Sequence, residues 1–246
     1  MLPDSGFYTA RGRRIARLRG KVGLCMVAAL SFLAGMTDAV GFTATGDFVS
    51  FMSGNTTRLA VSIGERDYNS ILTISTLIGA FIAGNAIGVI VTRLVGRRSW
   101  PLLLCVGALL CLAGLTPIPL FSLVCTVIAM GMINAVVEEV NGLPIGLTYV
   151  TGALSRFGRG LGRWLMGERK PGWRVQLVPW MGMLLGAVAG ALLQGYLGIT
   201  AFVINGLLVF ALAASSLAIP RESVSFFVCG PITACRQAGQ AFTRSA

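Results

Sequence analysis

The chain has 246 residues, of which 55% are hydrophobic and 12% charged. That charged share is about half of what a soluble globular protein carries, and a mean hydropathy of +0.79 argues against a water-soluble fold. Histidine is absent, which excludes histidine-ligated zinc and Ser-His-Asp catalysis, and the net charge of +11 would suggest nucleic acid only in a soluble protein.

Apolar runs recur at roughly residues 22–42, 71–92, 100–116, 119–137, 175–197 and 199–219. Most fall within the ~17–25 residues a spanning helix needs. They are apolar on every face, whereas a barrel strand alternates apolar and polar side chains. The expected class is therefore all-α: a polytopic helical membrane protein of about six transmembrane helices.

In chain order, residues 1–21 form a basic segment with Arg11, Arg13, Arg14, Arg17, Arg19 and Lys21, expected as a cytoplasmic tail. "GRRIARL" faintly resembles a twin-arginine export signal, but five further apolar runs favour a signal anchor. The first span carries "GMTDAVGF", which sets Asp38 at helix depth. Next comes "FVSFMSGNTTRLAVSI", residues 48–63, apolar but interrupted by small polar residues and Arg58.

If that segment crossed the bilayer, Arg93, Arg97 and Arg98 would lie on the side opposite the basic N-terminus, against the rule that short cytoplasmic loops hold Lys and Arg. A segment that dips in and returns removes the conflict. The N-terminal segment, the 93–98 loop, residues 156–174 and the tail 220–246 then place 18 of the 20 basic residues in the cytoplasm. Both termini are expected there, in a bacterial inner membrane.

The second half echoes the first. "GMTDAV" returns as "GMINAV" at an offset of 96, matching Asp38 with Asn134. "SGNTTRLAVSIG" returns as "TGALSRFGRGLG" at an offset of 98, matching Ser53 with Thr151, Gly54 with Gly152 and Arg58 with Arg156. A third echo sets Ala80, Ala83 and Gly84 against Gly186, Ala189 and Gly190 at an offset of 106. Two membrane repeats follow, residues 22–116 and 117–219, each with three crossings and a re-entrant or broken half-helix. Because three is odd, the copies are inverted, as in many secondary transporters. An inverted duplication can also serve only to make a stable bundle.

Asp38 lies about 16 residues, or about 24 Å, into its helix, toward the outer leaflet. A carboxylate at that depth requires a partner, and Arg58 is the nearest candidate. Gly54 permits a helix break, Ser53 or Asn55 can cap the half-helix beyond it, and the free N–H groups at its start suit an anion or polar solute. Asp38, Ser53, Gly54, Asn55, Thr56 and Arg58 thus form one candidate substrate-binding group; Asn134, Thr151, Gly152 and Arg156 form its counterpart. The same residues can equally make an ion pair that braces the re-entrant segment.

Arg156, Arg159 and Arg163 form a basic helical stripe suited to anionic headgroups or to Glu138 and Glu139. Small residues at Ala80, Gly84 and Gly88, and at Gly182, Gly186 and Gly190, suit close helix packing. Asn85, Gln194 and Asn205 are expected to make interhelical hydrogen bonds. Cys25, Cys105, Cys111, Cys125, Cys229 and Cys235 lack metal-ligand spacing, and no P-loop is present, so no cofactor is expected.

Residues "AGMTDAVGF" followed by "FVSFMSGNTTRL" resemble the YoaK family, bacterial multi-pass membrane proteins carrying domain of unknown function 1275, over about residues 22–219. Ser53 stands where the family usually has Thr. The resemblance implies an α-helical inner-membrane protein and supplies no substrate or reaction. The reading favoured is a small-solute secondary transporter; a passive channel, with anions as one candidate permeant, and a non-transporting scaffold or assembly factor are the alternatives. No nucleophile and base pair is recognisable, so enzyme activity is not expected. Expected partners are membrane lipids and a small solute or ion, with homo-oligomerisation left open and no nucleic acid.

Overall fold

The computed structural model describes residues 10–95, 99–134, 139–140, 143–144, 150–169 and 172–217. It is helical: α1 (Ala10–Thr45), α2 (Met52–Glu65), α3 (Tyr68–Leu94), α4 (Ser99–Leu115), α5 (Pro119–Asn134), α6 (Val150–Leu165), α7 (Leu177–Leu197) and α8 (Ala201–Leu217). The exception among the described residues is a two-residue antiparallel pair, Glu139–Val140 with Leu143–Pro144.

Three apolar stretches are long enough to cross a membrane: Val22–Thr45, Tyr68–Leu94 and Trp173–Leu217, with α4 and α5 as shorter apolar helices. The third stretch, at 45 residues, is far longer than the ~20 a bilayer requires. It divides at Gly198, whose φ of 58° and ψ of −141° are open to glycine alone, and a 3-10 turn at Gly198–Thr200 starts α8.

Helix α1 begins at Ala10, so the basic segment expected as a tail is helical from that residue onward. Extending an existing helix adds a hydrogen bond per residue without a new nucleus, and Ala, Arg and Leu between residues 10 and 21 favour it. At the other end, the break expected at Gly54 falls earlier in the chain: α1 stops at Thr45, and α2 starts at Met52 and runs unbroken to Glu65. Its 14 residues cover about 21 Å, short of a ~30 Å hydrocarbon core.

The helices pack crosswise. α1 lies mainly on α7, α3 on α5 and α4 on α8, while α2 rests on α3 and α6 on α7 and the 3-10 turn at Trp173–Gln176. Glycines set the first two contacts. A Cβ at Gly35 or Gly186 would fall within 2.5 Å of a backbone oxygen across the α1–α7 seam, and so would one at Gly84 or Gly131 across α3–α5. Backbones approach this closely only where side chains are absent. Leu30, Leu77, Leu103, Val106, Leu110, Met130, Ile133 and Val209 fill the core between these seams.

Much of the outside is apolar. Leu72, Ile82 and Ile90 of α3 and Leu185, Val188 and Leu192 of α7 are all more than half exposed. Arrays of this kind in water would be aggregation sites; against lipid tails they carry no penalty.

Candidate functional site at the break between α1 and α2

Residues 46–51 fold back onto the last turns of α1. Gly46, with φ of 78°, ends the helix in a left-handed turn. Val49 is fully buried against Gly41, where a Cβ would strike its Cγ2 atom. The Phe48 ring stacks on Phe42 at 4.7 Å and meets Phe51 edge-on at 5.3 Å. These contacts fix the loop against the helix it has just left.

Asp38 holds the loop from beneath. Its Oδ1 accepts from the Val49 and Ser50 N–H groups, both at 2.8 Å, and its Oδ2 accepts from the Ser50 hydroxyl at 2.7 Å. The carboxylate is 6% exposed, so its charge depends on these donors in place of water. They lie just before the first turn of α2, where the helix dipole also favours negative charge. The anion-binding end expected for this half-helix is filled by the chain's own carboxylate.

Two expectations are corrected here. Arg58 does not pair with Asp38: its Nη1 donates to Asp47 Oδ1 at 2.6 Å and to the Gly46 carbonyl. Asp47 lies in the loop within reach of the guanidinium, whereas Asp38 is turned inward onto backbone donors. Neither Ser53 nor Asn55 caps α2. The N-cap is Phe51, which makes no side-chain capping bond, and the helix opens two residues earlier than a Ser53 cap would require.

Asn55 instead mimics a peptide group. Fully buried, it donates from Nδ2 to the Phe48 carbonyl at 2.7 Å and accepts from the Phe48 N–H at 3.3 Å. Gly54 does not break the helix either; a Cβ there would collide with the Phe51 ring, so its role is to admit that aromatic. Ser53 and Thr56 are exposed, and the Thr56 hydroxyl donates to its own helix at the Met52 carbonyl. Of the first group, the structure assembles Asp38, Asn55 and Arg58 around one loop.

The second group is placed differently. Arg156 donates from Nε to Gln176 Oε1 at 2.7 Å, which ties α6 to the turn that precedes α7. Gly152 sits one turn before it, Thr151 is exposed, and Ala153 is the buried residue of α6. Asn134 ends α5, half-buried. Glu138 and the segment 145–149 lie outside the described residues, as does the 220–246 tail with Cys229 and Cys235.

Sequence reasoning missed Asp47, Ser50 and Thr37. Asp47 stands in a Gly-Asp turn and could have been weighed as a partner for Arg58; the others gave no signal beyond being polar. Thr37 donates to the Leu33 carbonyl and accepts from Asn205 Nδ2, the interhelical bond expected of Asn205. Asn205 Oδ1 and Ser31 Oγ are buried without a partner among the described residues. Asn85 bonds within its own helix, to Phe81, and not across to another. No group of three metal-ligating side chains occurs among the described residues.

The sequence matches a family model described as "Protein of unknown function (DUF1275)" over residues 26–215. It is 50% identical over 219 residues to UPF0700 transmembrane protein RA0705 of Rhizobium meliloti (strain 1021), an alignment that covers 89% of this chain and 96% of that protein. No solved structure matches.

Proposed function

The chain belongs to the DUF1275 family and is an integral membrane protein, and from that premise we propose that it is a small-solute secondary transporter built from two inverted three-span repeats. The supporting observation is the crosswise packing. If α1 to α4 correspond to α5 to α8, exchanging the halves turns the α1–α7 contact into α5–α3 and leaves α4–α8 unchanged, as a two-fold axis requires.

Individual contacts follow the same exchange. Gly186 against Phe32 matches Gly84 against Ile128, and Gly35 against Met183 matches Gly131 against Phe81. These pairs keep the offset of 96 between α1 and α5. They also set α3 and α7 at 102 in place of the 106 read from the sequence, one helical turn away. Gly107 against Phe210 and Gly206 against Cys111 pair α4 with α8 at an offset of 99.

In this reading α2 is re-entrant from the outer side, its counterpart α6 lies at the cytoplasmic surface of a bacterial inner membrane, and both termini are inside. The loop at 46–51 is the outer closure, held by Asp38 and by the Asp47–Arg58 pair. Transport requires it to open. Thermal stabilisation of the detergent-purified protein identifies solutes that bind, and their flux into proteoliposomes is then measured. Saturable uptake accelerated by preloaded solute is expected; stabilisation without flux by every solute overturns the transporter. Labelling a Tyr68→Cys variant only from the cytoplasmic face overturns the topology.

A specific observation favours a second reading, a non-transporting scaffold: Asp38 and Asn55 are buried and engaged by the chain itself, and Arg58 is tied through Nη1 to Asp47 and to the Gly46 carbonyl. Co-purification with a defined partner and an absence of flux is the result it expects.

A further inference from the structure

Helix α6 is divided lengthwise into three faces. Ala153, Phe157 and Gly160 face the protein: Ala153 is buried, the Phe157 ring lies 5.1 Å from Trp173, and a Cβ at Gly160 would strike the Trp173 side chain. Beside them runs an exposed apolar flank, Leu154, Leu161 and Leu165, which continues into Met166, 87% exposed. At 100° per residue, Arg159 and Arg163 stand roughly opposite that flank, with Arg156 next to them. Arg159 and Arg163 are exposed. Trp164, half-exposed, and Trp173, with the Arg174 guanidinium 5.3 Å from its ring, close one side of the helix.

We infer that α6 is an interfacial helix that docks on anionic phospholipid headgroups. An apolar flank left exposed among the described residues is covered when the helix lies in the membrane plane, and arginines on the far side then extend to headgroup phosphates at its edges. Guanidinium groups bind phosphate oxygens bidentately, and the three arginines meet no carboxylate on their own helix. Net charge on α6 is positive throughout, so anionic lipid is the complementary occupant and a zwitterionic one is not. The inference stands apart from transport: it holds for a carrier and for a scaffold alike.

The test uses the full-length protein in detergent, titrated with phosphatidylglycerol or phosphatidylcholine while its melting temperature is followed. Phosphatidylglycerol is expected to raise the melting temperature, and phosphatidylcholine is not. In the double variant Arg159→Gln/Arg163→Gln the lipid concentration for half the shift rises by about thirtyfold, at about fivefold per arginine lost. The wild-type shift also shrinks at about 0.5 M salt, where screening is strong. Equal stabilisation by both lipids, an unchanged titration in the variant, or the same shift from inorganic phosphate alone overturns the inference. Where the variant does not fold, a wild-type phosphatidylglycerol shift indifferent to salt overturns it equally.

Discussion

Helices α2 and α6 echo each other in sequence and hold matching places in the element order, yet they use their polar residues differently. In α2, Asn55 and Arg58 turn back onto the loop at residues 46–51 and join Asp47 and Asp38 in closing it. In α6, Arg159 and Arg163 face away from the protein. The position offset by 98 makes the point: Asn55 and Ala153 are both buried, one polar and one apolar. Close packing at this position needs only a small side chain. In α2 an amide stands there, where a returning backbone, at Phe48, offers it a partner and the pair locks the loop.

Asp38→Ala is the strongest way to break the lock, because it strands three buried donors. A loss of about 3–5 kcal/mol is expected, read as unfolding in detergent. Asp38→Asn retains the shape and costs about 1–2 kcal/mol, since neutral hydrogen bonds are weaker than charge-assisted ones. Equal losses for the two variants would mean that the cradle does not recognise charge.

Asn55→Ala comes next. It leaves the Phe48 N–H and carbonyl unpaired and is expected to cost about 2 kcal/mol, whereas Ala153→Gly at the matching place removes packing without stranding a polar group and costs about 1 kcal/mol. Should the Ala153 variant prove the more damaging, the contrast between a polar lock and an apolar contact would fail.

How much of this was legible beforehand follows from what each feature depends on. The apolar helices, the division of the 173–217 stretch and the break after Thr45 are set by local composition and by glycine, and the sequence displays both. Two of the three donors to Asp38 are hidden because they are backbone: every residue carries an N–H, and only the path of the loop decides which ones converge, with the Ser50 hydroxyl brought along by the same path. Arg58 is assigned to Asp38 because both stand in apolar surroundings, while Asp47, 11 residues from Arg58, lies in a Gly-Asp pair between the helices. In the proposed repeat, the offset between α3 and α7 is hard to read from sequence because Ala and Gly recur at every turn along those helices. Sequence similarity cannot tell one turn from the next; a carbonyl lying against Gly84 can.

The Asp47–Arg58 pair is a weaker brace than Asp38. Arg58's side chain is 41% exposed, so water screens it, and a double-mutant cycle with Asp47→Asn and Arg58→Gln is expected to give a coupling of about 0.2–1 kcal/mol. A coupling well above that range would move the main closure of the loop from the buried carboxylate to the surface pair.

The smallest effect lies at the far end of α2, where the chain turns into α3. Asp67 caps α3: its Oδ2 accepts from the Ser70 hydroxyl at 2.6 Å and its Oδ1 from the Ser70 N–H at 3.3 Å. The hydroxyl, and after it the backbone N–H, hold this exposed carboxyl below its ordinary value. A carboxylate with a depressed folded-state pKa binds fewer protons when folded than when unfolded. Its contribution is complete above the unfolded value, near 4, and is lost as pH falls through the folded one. Asp67→Asn keeps a competent cap but has no charge to titrate. The melting-temperature difference between wild type and this variant should therefore be constant from pH 7 to about 5 and narrow below about pH 4. Ser70→Ala should shift that narrowing to higher pH, because the group that depresses the Asp67 pKa most is gone.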